Sequence, residues 1–185
     1  MLEVTDLACL RGDRMLFAEV SLTVASGELV RIAGPNGVGK TSLLRLLCGL
    51  AVPEHGVVRW KGERIERSRD AFHREVLYLG HAAALNDLLT PHENLRFAAA
   101  THGHPTEAAR CDAALARIGL EAQRDLPAKV LSQGQRRRVG LARLYLSEDV
   151  PLWILDEPFT ALDVDAVKDL AAWLDAHCAD RKSVV

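Results

Sequence analysis

A chain of 185 residues with a formal net charge of −2 has the length of one domain and can bury about 70% of its unfolded surface. That charge argues against a nucleic-acid binder dominated by phosphate contacts. Cys9, Cys48, Cys111 and Cys178 form no C-x-x-C pair, so they read as thiols of a reducing cytosol rather than a disulfide framework or a zinc site.

Met1-Leu2-Glu3-Val4-Thr5-Asp6 does not read as a signal peptide. Residues 1–33 alternate as short strands, with turn signals at Gly12-Asp13 and Ser26-Gly27. Glu28-Leu29-Val30-Arg31-Ile32-Ala33 reads as a strand and Ser42 to Leu50 as an apolar helix. Between them Gly34-Pro35-Asn36-Gly37-Val38-Gly39-Lys40-Thr41 fits G-x-x-x-x-G-K-[ST], the phosphate-binding loop. Its glycines allow positive φ and close backbone approach, so successive N–H groups point into one concavity. The helix dipole adds to that anion site, and Ser42 completes the candidate set at the helix start. Lys40 places a point charge against the β- and γ-phosphates, and Thr41 offers a hydroxyl to Mg²⁺. The run Leu43–Val52 is apolar but short and contains Arg45, so it does not span a bilayer.

Gly56-Val57-Val58-Arg59-Trp60 adds further β-rich sequence. Residues 86–131 read as helical. Thr90, Pro91 and Glu93 make a capping box with proline at the first helical position. Ala108, Cys111, Leu115 and Ile118 form an apolar stripe ended by Gly119. His102-Gly103-His104 reads as a solvated loop between helices, and the chain has no Cys-x-x-Cys-His haem-attachment pattern.

Arg136 to Leu146 reads as a helix, with Val139, Ala142, Leu146 and Leu141, Tyr145 at helical spacing. The preceding Leu131-Ser132-Gln133-Gly134-Gln135 therefore places Ser132 and Gly134 at a helix start, where N–H groups and a hydroxyl bind anions. A second phosphate-binding turn is redundant in a chain with one nucleotide unless it serves another subunit's nucleotide. That predicts a head-to-tail dimer with ATP between the loop and the pentapeptide; the competing reading is an ordinary N-cap. Arg136-Arg137-Arg138 reads as a solvated helix face with local pairing, and phosphate or partner contacts are the alternative. Pro151-Leu152-Trp153-Ile154-Leu155-Asp156-Glu157-Pro158 reads as a buried strand whose carboxyl end carries two acids. Asp156 holds the Mg²⁺ shell and Glu157 accepts a proton from the attacking water. A solvated acidic turn is the poorer reading beside Lys40 and Thr41. A helix then runs to about Cys178, and Lys182-Ser183-Val184-Val185 starts another strand.

These motifs in this order, with Thr160-Ala161-Leu162-Asp163 as the D-loop, resemble the ATP-binding subunit of ABC transporters over essentially the whole chain. The resemblance implies an α/β P-loop NTPase fold of ABC type, with an antiparallel β subdomain and a helical subdomain. It implies one ABC ATP-binding domain over 1–185, with a core from 1–85 and 132–185 and a helical subdomain, 86–131, facing a membrane partner. It also implies ATP and Mg²⁺ as ligands, an ATP-dependent homodimer in which Ser132, Gly134 and Gln135 meet the opposite nucleotide, and an ATPase of the translocase class. Gln133 replaces the family's glycine in the pentapeptide. Arg11 stands where the family usually stacks an aromatic on adenine; a guanidinium plane can also stack on a base, and Phe17 is the alternative. His81 stands at the family's Q-loop glutamine, which senses the γ-phosphate and relays it to the membrane subunit. The alternative is a loop histidine with no catalytic part. The family's switch histidine belongs to the strand that starts at Lys182–Val185. His177 comes too early for it, so the C-terminal strand or strands carrying it are expected to be missing from these 185 residues.

Tyr78-Leu79-Gly80-His81, Leu89–Leu95, Arg11–Phe17 and Leu152–Asp163 carry a narrower resemblance, to the CcmA family of ATP-binding export proteins in cytochrome c biogenesis. This implies haem handling through a CcmB-like integral membrane permease and a peripheral position on the cytoplasmic face of the bacterial inner membrane. A catalytically impaired scaffold and an ABC ATPase for another substrate are the competing readings. ABC proteins of DNA or ribosomes resemble coiled-coil or tandem architectures absent from this sequence, and a GTPase lacks its N-K-x-D motif here.

Overall fold

The computed structural model describes residues 1–103, 105–160 and 162–185. His104 of the histidine loop and Ala161 of the D-loop stretch lie outside the described residues. The chain divides into two compact units. One is Met1–Tyr78 with Val150–Asp156 and Leu174–Val185, and the other is Leu79–Asp149 with Glu157–Trp173.

In the first unit, β1 (Leu2–Arg11) and β2 (Arg14–Val24) form a hairpin, longer than the short strands expected. Gly12, at φ +59°, opens the two-residue turn. With β3 (His55–Trp60) and β4 (Glu63–Arg64) they make an antiparallel sheet in the order β2-β1-β3-β4. The β1 ladder shifts register between Val4 and Leu7, where Asp6 is left-handed at φ +49°. This bulge lets both Leu7 and Ala8 be buried, which strict alternation forbids. Opposite it, Gly56 sits at φ +91°, and a Cβ there would overlap the carbonyl oxygens of Thr5 and Asp6. Only glycine fits.

The second sheet has the order β5-β6-β7, from Val76–Leu79, Leu152–Leu155 and Ser183–Val184, with β6 and β7 parallel. All four residues of β6 are buried, as its unbroken apolar run predicts. Leu2, Leu7, Val24, Leu46, Leu47, Val58, Phe72 and Ile154 pack into one core that joins both sheets to α1 (Lys40–Leu47). The short helix α2 (Arg69–Arg74) contributes Phe72. Helix α1 starts two residues before the expected Ser42 and ends three before Leu50. Gly49 at φ +67° stops it, with Gly49 N donating to Leu46 O at 3.0 Å and Leu50 N to Arg45 O at 2.9 Å, a Schellman ending.

The strand expected at Glu28–Ala33 does not form as such. Only Leu29 makes a β-bridge, to Val184, flanked by Val30 N donating to Val184 O at 2.9 Å and Val184 N to Glu28 O at 3.0 Å. Its neighbour β7 is Ser183–Val184. His177, near the end of α6 (Val164–Ala179), stacks on Trp153 with ring centroids 3.5 Å apart and planes at 16°. Burial, then the nearby Lys182 charge, pushes its imidazole pKa down to about 4. The neutral ring therefore serves as a core aromatic.

The second unit is helical. Helices α3 (Pro91–Thr101), α4 (Ala108–Arg117) and α5 (Gln133–Ala142, continued by a 3-10 turn over Arg143–Leu146) pack around Leu95, Cys111, Leu115, Leu120, Val139 and Ala142. The expected capping box is present: Thr90 Oγ1 accepts from Glu93 N at 3.2 Å, and Glu93 Oε2 accepts from Thr90 N at 2.8 Å. The α4 stripe is shifted: Ala108 is exposed, and Ala114 joins Cys111 and Leu115 in the core. Buried Asn94 ties down the preceding loop. It accepts from Asn86 N at 2.8 Å and donates to the carbonyls of Asn86, Leu89 and Thr90 at 3.0–3.2 Å, so its buried polar atoms are satisfied. The Arg117 guanidinium lies 4.5 Å from the Tyr145 ring centroid and 4.3 Å from that of Trp173. Among the described residues, no helix is long and apolar enough to cross a membrane.

Candidate nucleotide site

In the first unit the glycine-rich loop turns into α1. Gly37 and Gly39 have φ of +79° and +106°, a region that favours glycine. At Gly39 a Cβ would lie 3.1 Å from the Phe17 ring and 3.3 Å from Leu16. The hairpin strand β2 thus presses against the loop's last turn, and Phe17 is half-buried beneath it. Among the described residues no side chain caps α1, and its first turn holds no acid. The N–H groups of Lys40, Thr41 and Ser42 have no intrahelical carbonyl to meet. They offer aligned donors and the positive dipole end to an anion. Lys40 Nζ donates to Gly34 O at 2.8 Å and Pro35 O at 3.1 Å, which lays its ammonium across the start of the loop.

Thr41 Oγ1 donates to Asp156 Oδ2 at 2.9 Å. Asp156, 4% exposed, directly follows β6. Among the described residues, no cluster of three or more His, Cys, Asp or Glu side chains is placed to hold a metal. One carboxylate and one hydroxyl instead match a Mg²⁺ site that takes its remaining ligands from phosphate and water. Arg11 is exposed at the end of β1, opposite Arg14 across the hairpin.

In the second unit Glu157 is exposed and left-handed at φ +52°. Its Oε2 lies 3.8 Å from His81 Nδ1 and 3.5 Å from the Thr160 hydroxyl. Its carbonyl accepts from Thr160 N at 3.1 Å and from Arg137 Nη2 at 2.8 Å. Ser132 caps α5 in a second capping box: its Oγ accepts from Gln135 N at 3.2 Å, and Gln135 Oε1 accepts from Ser132 N at 2.9 Å. Gly134 borders open space, with nothing within 4 Å of a Cβ there.

The run Arg136-Arg137-Arg138 is not a solvated face: all three are half-buried and bonded. Arg136 pairs with Asp87 at 2.6 Å and donates to Ala128 O at 2.8 Å. Arg138 reaches Ile118 O at 3.5 Å. Arg137 binds backbone at Gly80, His81 and Glu157. Cations near a helix start oppose its dipole, and that conflict was the signal in the sequence that these side chains have acceptors elsewhere.

The ABC transporter family model matches residues 17–160. A cytochrome c biogenesis ATP-binding export protein CcmA of Aromatoleum aromaticum is 65% identical over 179 residues, covering 97% of this chain and 84% of the relative. One from Salmonella typhi is 49% identical over 185 residues, covering 100% of this chain and 87% of the relative. Among solved structures, an ATP binding subunit of an ABC transporter superposes with a TM-score of 0.86 at 29% identity, covering 99% of this chain and 77% of that one. The likeness covers nearly the whole chain, and the chain belongs to the ABC transporter family and, within it, to the cytochrome c biogenesis ATP-binding export proteins CcmA.

Proposed function

We propose that this chain is the ATP-hydrolysing subunit of a membrane export complex that handles haem in c-type cytochrome biogenesis. In this reading it is peripheral to the cytoplasmic face of the bacterial inner membrane and bound to a CcmB-like permease. The observation that carries the nucleotide chemistry is the Thr41–Asp156 hydrogen bond, at 2.9 Å, since it unites the phosphate loop with the acidic end of β6. The relative at 65% identity supports the biogenesis role.

The loop from Gly34 to Ser42 cradles the phosphates with its N–H groups, Pro35 having none to give, Lys40 adds a charge at the β- and γ-phosphates, and Arg11 stacks on the adenine. Thr41 and Asp156 hold Mg²⁺, which when bound neutralises charge on the phosphate oxygens. Glu157 takes a proton from the attacking water as oxygen bonds to the γ-phosphorus and the bond to ADP breaks. His81, beside Glu157, reports the nucleotide state to the permease. In an ATP-dependent homodimer, Ser132, Gly134 and Gln135 meet the other subunit's nucleotide. The core is drawn from 1–85 and 132–185, and residues 86–131 form the helical subdomain facing the permease. Loss of γ-phosphate contacts on hydrolysis then moves that subdomain.

The test is ATP turnover by the purified chain with and without its permease, against Glu157→Gln. The expected loss is about 10²–10⁴-fold. ATP binding with no turnover by the unmodified chain in either setting would replace this reading with a non-catalytic scaffold.

A further inference from the structure

In the second unit the Arg137 side chain ties together segments far apart in the chain. Its guanidinium, five donors in a rigid fork, meets three backbone carbonyls: Gly80 O at 2.5 Å, His81 O at 3.1 Å and Glu157 O at 2.8 Å. Gly80 and His81 directly follow β5. Glu157 is left-handed at φ +52°, a conformation that a non-glycine residue keeps only where its surroundings enforce it. Arg137 Nη2 and Thr160 N both bond its carbonyl, which fixes the peptide plane and hence the direction of the side chain. One turn further along α5, on the same face, Gly140 lies so close to the His81 loop that a Cβ there would be 3.5 Å from Ala83. One face of α5 thus holds residues 80–83 and Glu157 together, while the amino end of the same helix is the pentapeptide.

We propose that Arg137 is a positioning residue. It holds the Glu157 carboxylate and the His81 loop on the helix that begins at Ser132, so that engagement of the pentapeptide is felt at the residue that activates water. The hydrolytic consequence rests on the reading of Glu157 as general base; the clamp itself does not. Lysine presents three donors at one point and cannot span these carbonyls, so the conservative change is not conservative here.

The test compares Arg137→Lys and Arg137→Gln with the unmodified chain, assembled with its permease. In both variants kcat is expected to fall about 10²-fold, the cost of a misplacement near 1 Å. The dissociation constant for ATP stays within about twofold, because Lys40 and the loop amides are untouched. Amide hydrogen exchange speeds up at residues 80–84 and 157–160, with α3 and α4 unchanged. Unchanged exchange at both segments overturns the clamp. So does faster exchange throughout the unit, or a kcat restored by lysine. If the unmodified chain shows no Glu157-dependent turnover, the proposed function fails, and the exchange comparison still decides the clamp.

Discussion

The chain contains two helices whose amino ends are candidates for phosphate, and they are built in opposite ways. At α1 the N-cap is Gly39, left-handed at φ +106°, with no side-chain cap among the described residues. At α5 the N-cap is Ser132, extended at φ −62° and ψ 160°, with a complete capping box to Gln135. The first end leaves its donors unmet, at a cost to the helix's own stability, and α1 holds through Leu43, Leu44, Leu46 and Leu47 buried in the core. The second satisfies its own end first, yet among the described residues Ser132 Oγ accepts only from Gln135 N. Its hydroxyl proton and the N–H groups of Gln133 and Gly134 remain to donate. In the proposed reading, the candidate anion site at α1 is made of glycine and backbone, whereas the one at α5, met by a second subunit, rests on a helix that is stable without it.

Substitutions at three positions test this contrast. The largest effect is expected at Lys40→Ala, where turnover falls on the order of 10²–10³-fold, as for loss of a fixed donor at developing charge, while the thermal midpoint of unfolding stays put. A large drop in that midpoint would make Lys40 a structural brace of the loop through Gly34 and Pro35. Next is Ser132, where two changes separate capping from phosphate contact. Ser132→Ala removes the cap and about 1 kcal/mol of stability, measurable by denaturant titration. Ser132→Asp keeps a capping oxygen and the stability but sets a negative charge toward the opposite nucleotide. If turnover of the assembled complex survives Ser132→Asp, the pentapeptide is a cap and no more. The smallest effect is at Gly134, which is helical and borders open space. Gly134→Ala stabilises the fold by up to about 1 kcal/mol. A concurrent loss of turnover would show that glycine is kept there for close approach by a ligand, whereas full activity would remove that reason.

The motifs were legible because their physics is local. A capping box spans three residues, so Thr90 with Glu93 could be read directly, and the same logic placed Ser132 at a helix start. Gly119 ends α4 as read, with Leu120 N donating to Leu115 O at 2.9 Å. The buried β6 followed from four consecutive apolar residues between prolines. Pairing partners were not legible in that way. Glu28–Ala33 has a strand's composition, but a strand is a property of two segments, and of this run Leu29 alone makes a bridge, to Val184. The bulge at Asp6 and the need for glycine at position 56 likewise appear only when β1 and β3 are laid side by side.

Three consecutive arginines carry no mark that separates Arg137 from its neighbours. Each step along α5 turns a side chain by about 100°, and what each meets depends on segments as distant as Gly80, 57 residues earlier in the chain. His177 shows the same limit: its position on the helix was evident, but its stacking on Trp153 was not. Residue chemistry and short-range geometry were therefore written in the order of the amino acids: which residue types are candidates to meet phosphate or carry a proton, and where helix caps sit. The aim of those groups, and above all the left-handed Glu157 tied to Arg137, came from contacts between segments far apart in the chain. Such contacts depend on how the elements pack, and no local spacing encodes that.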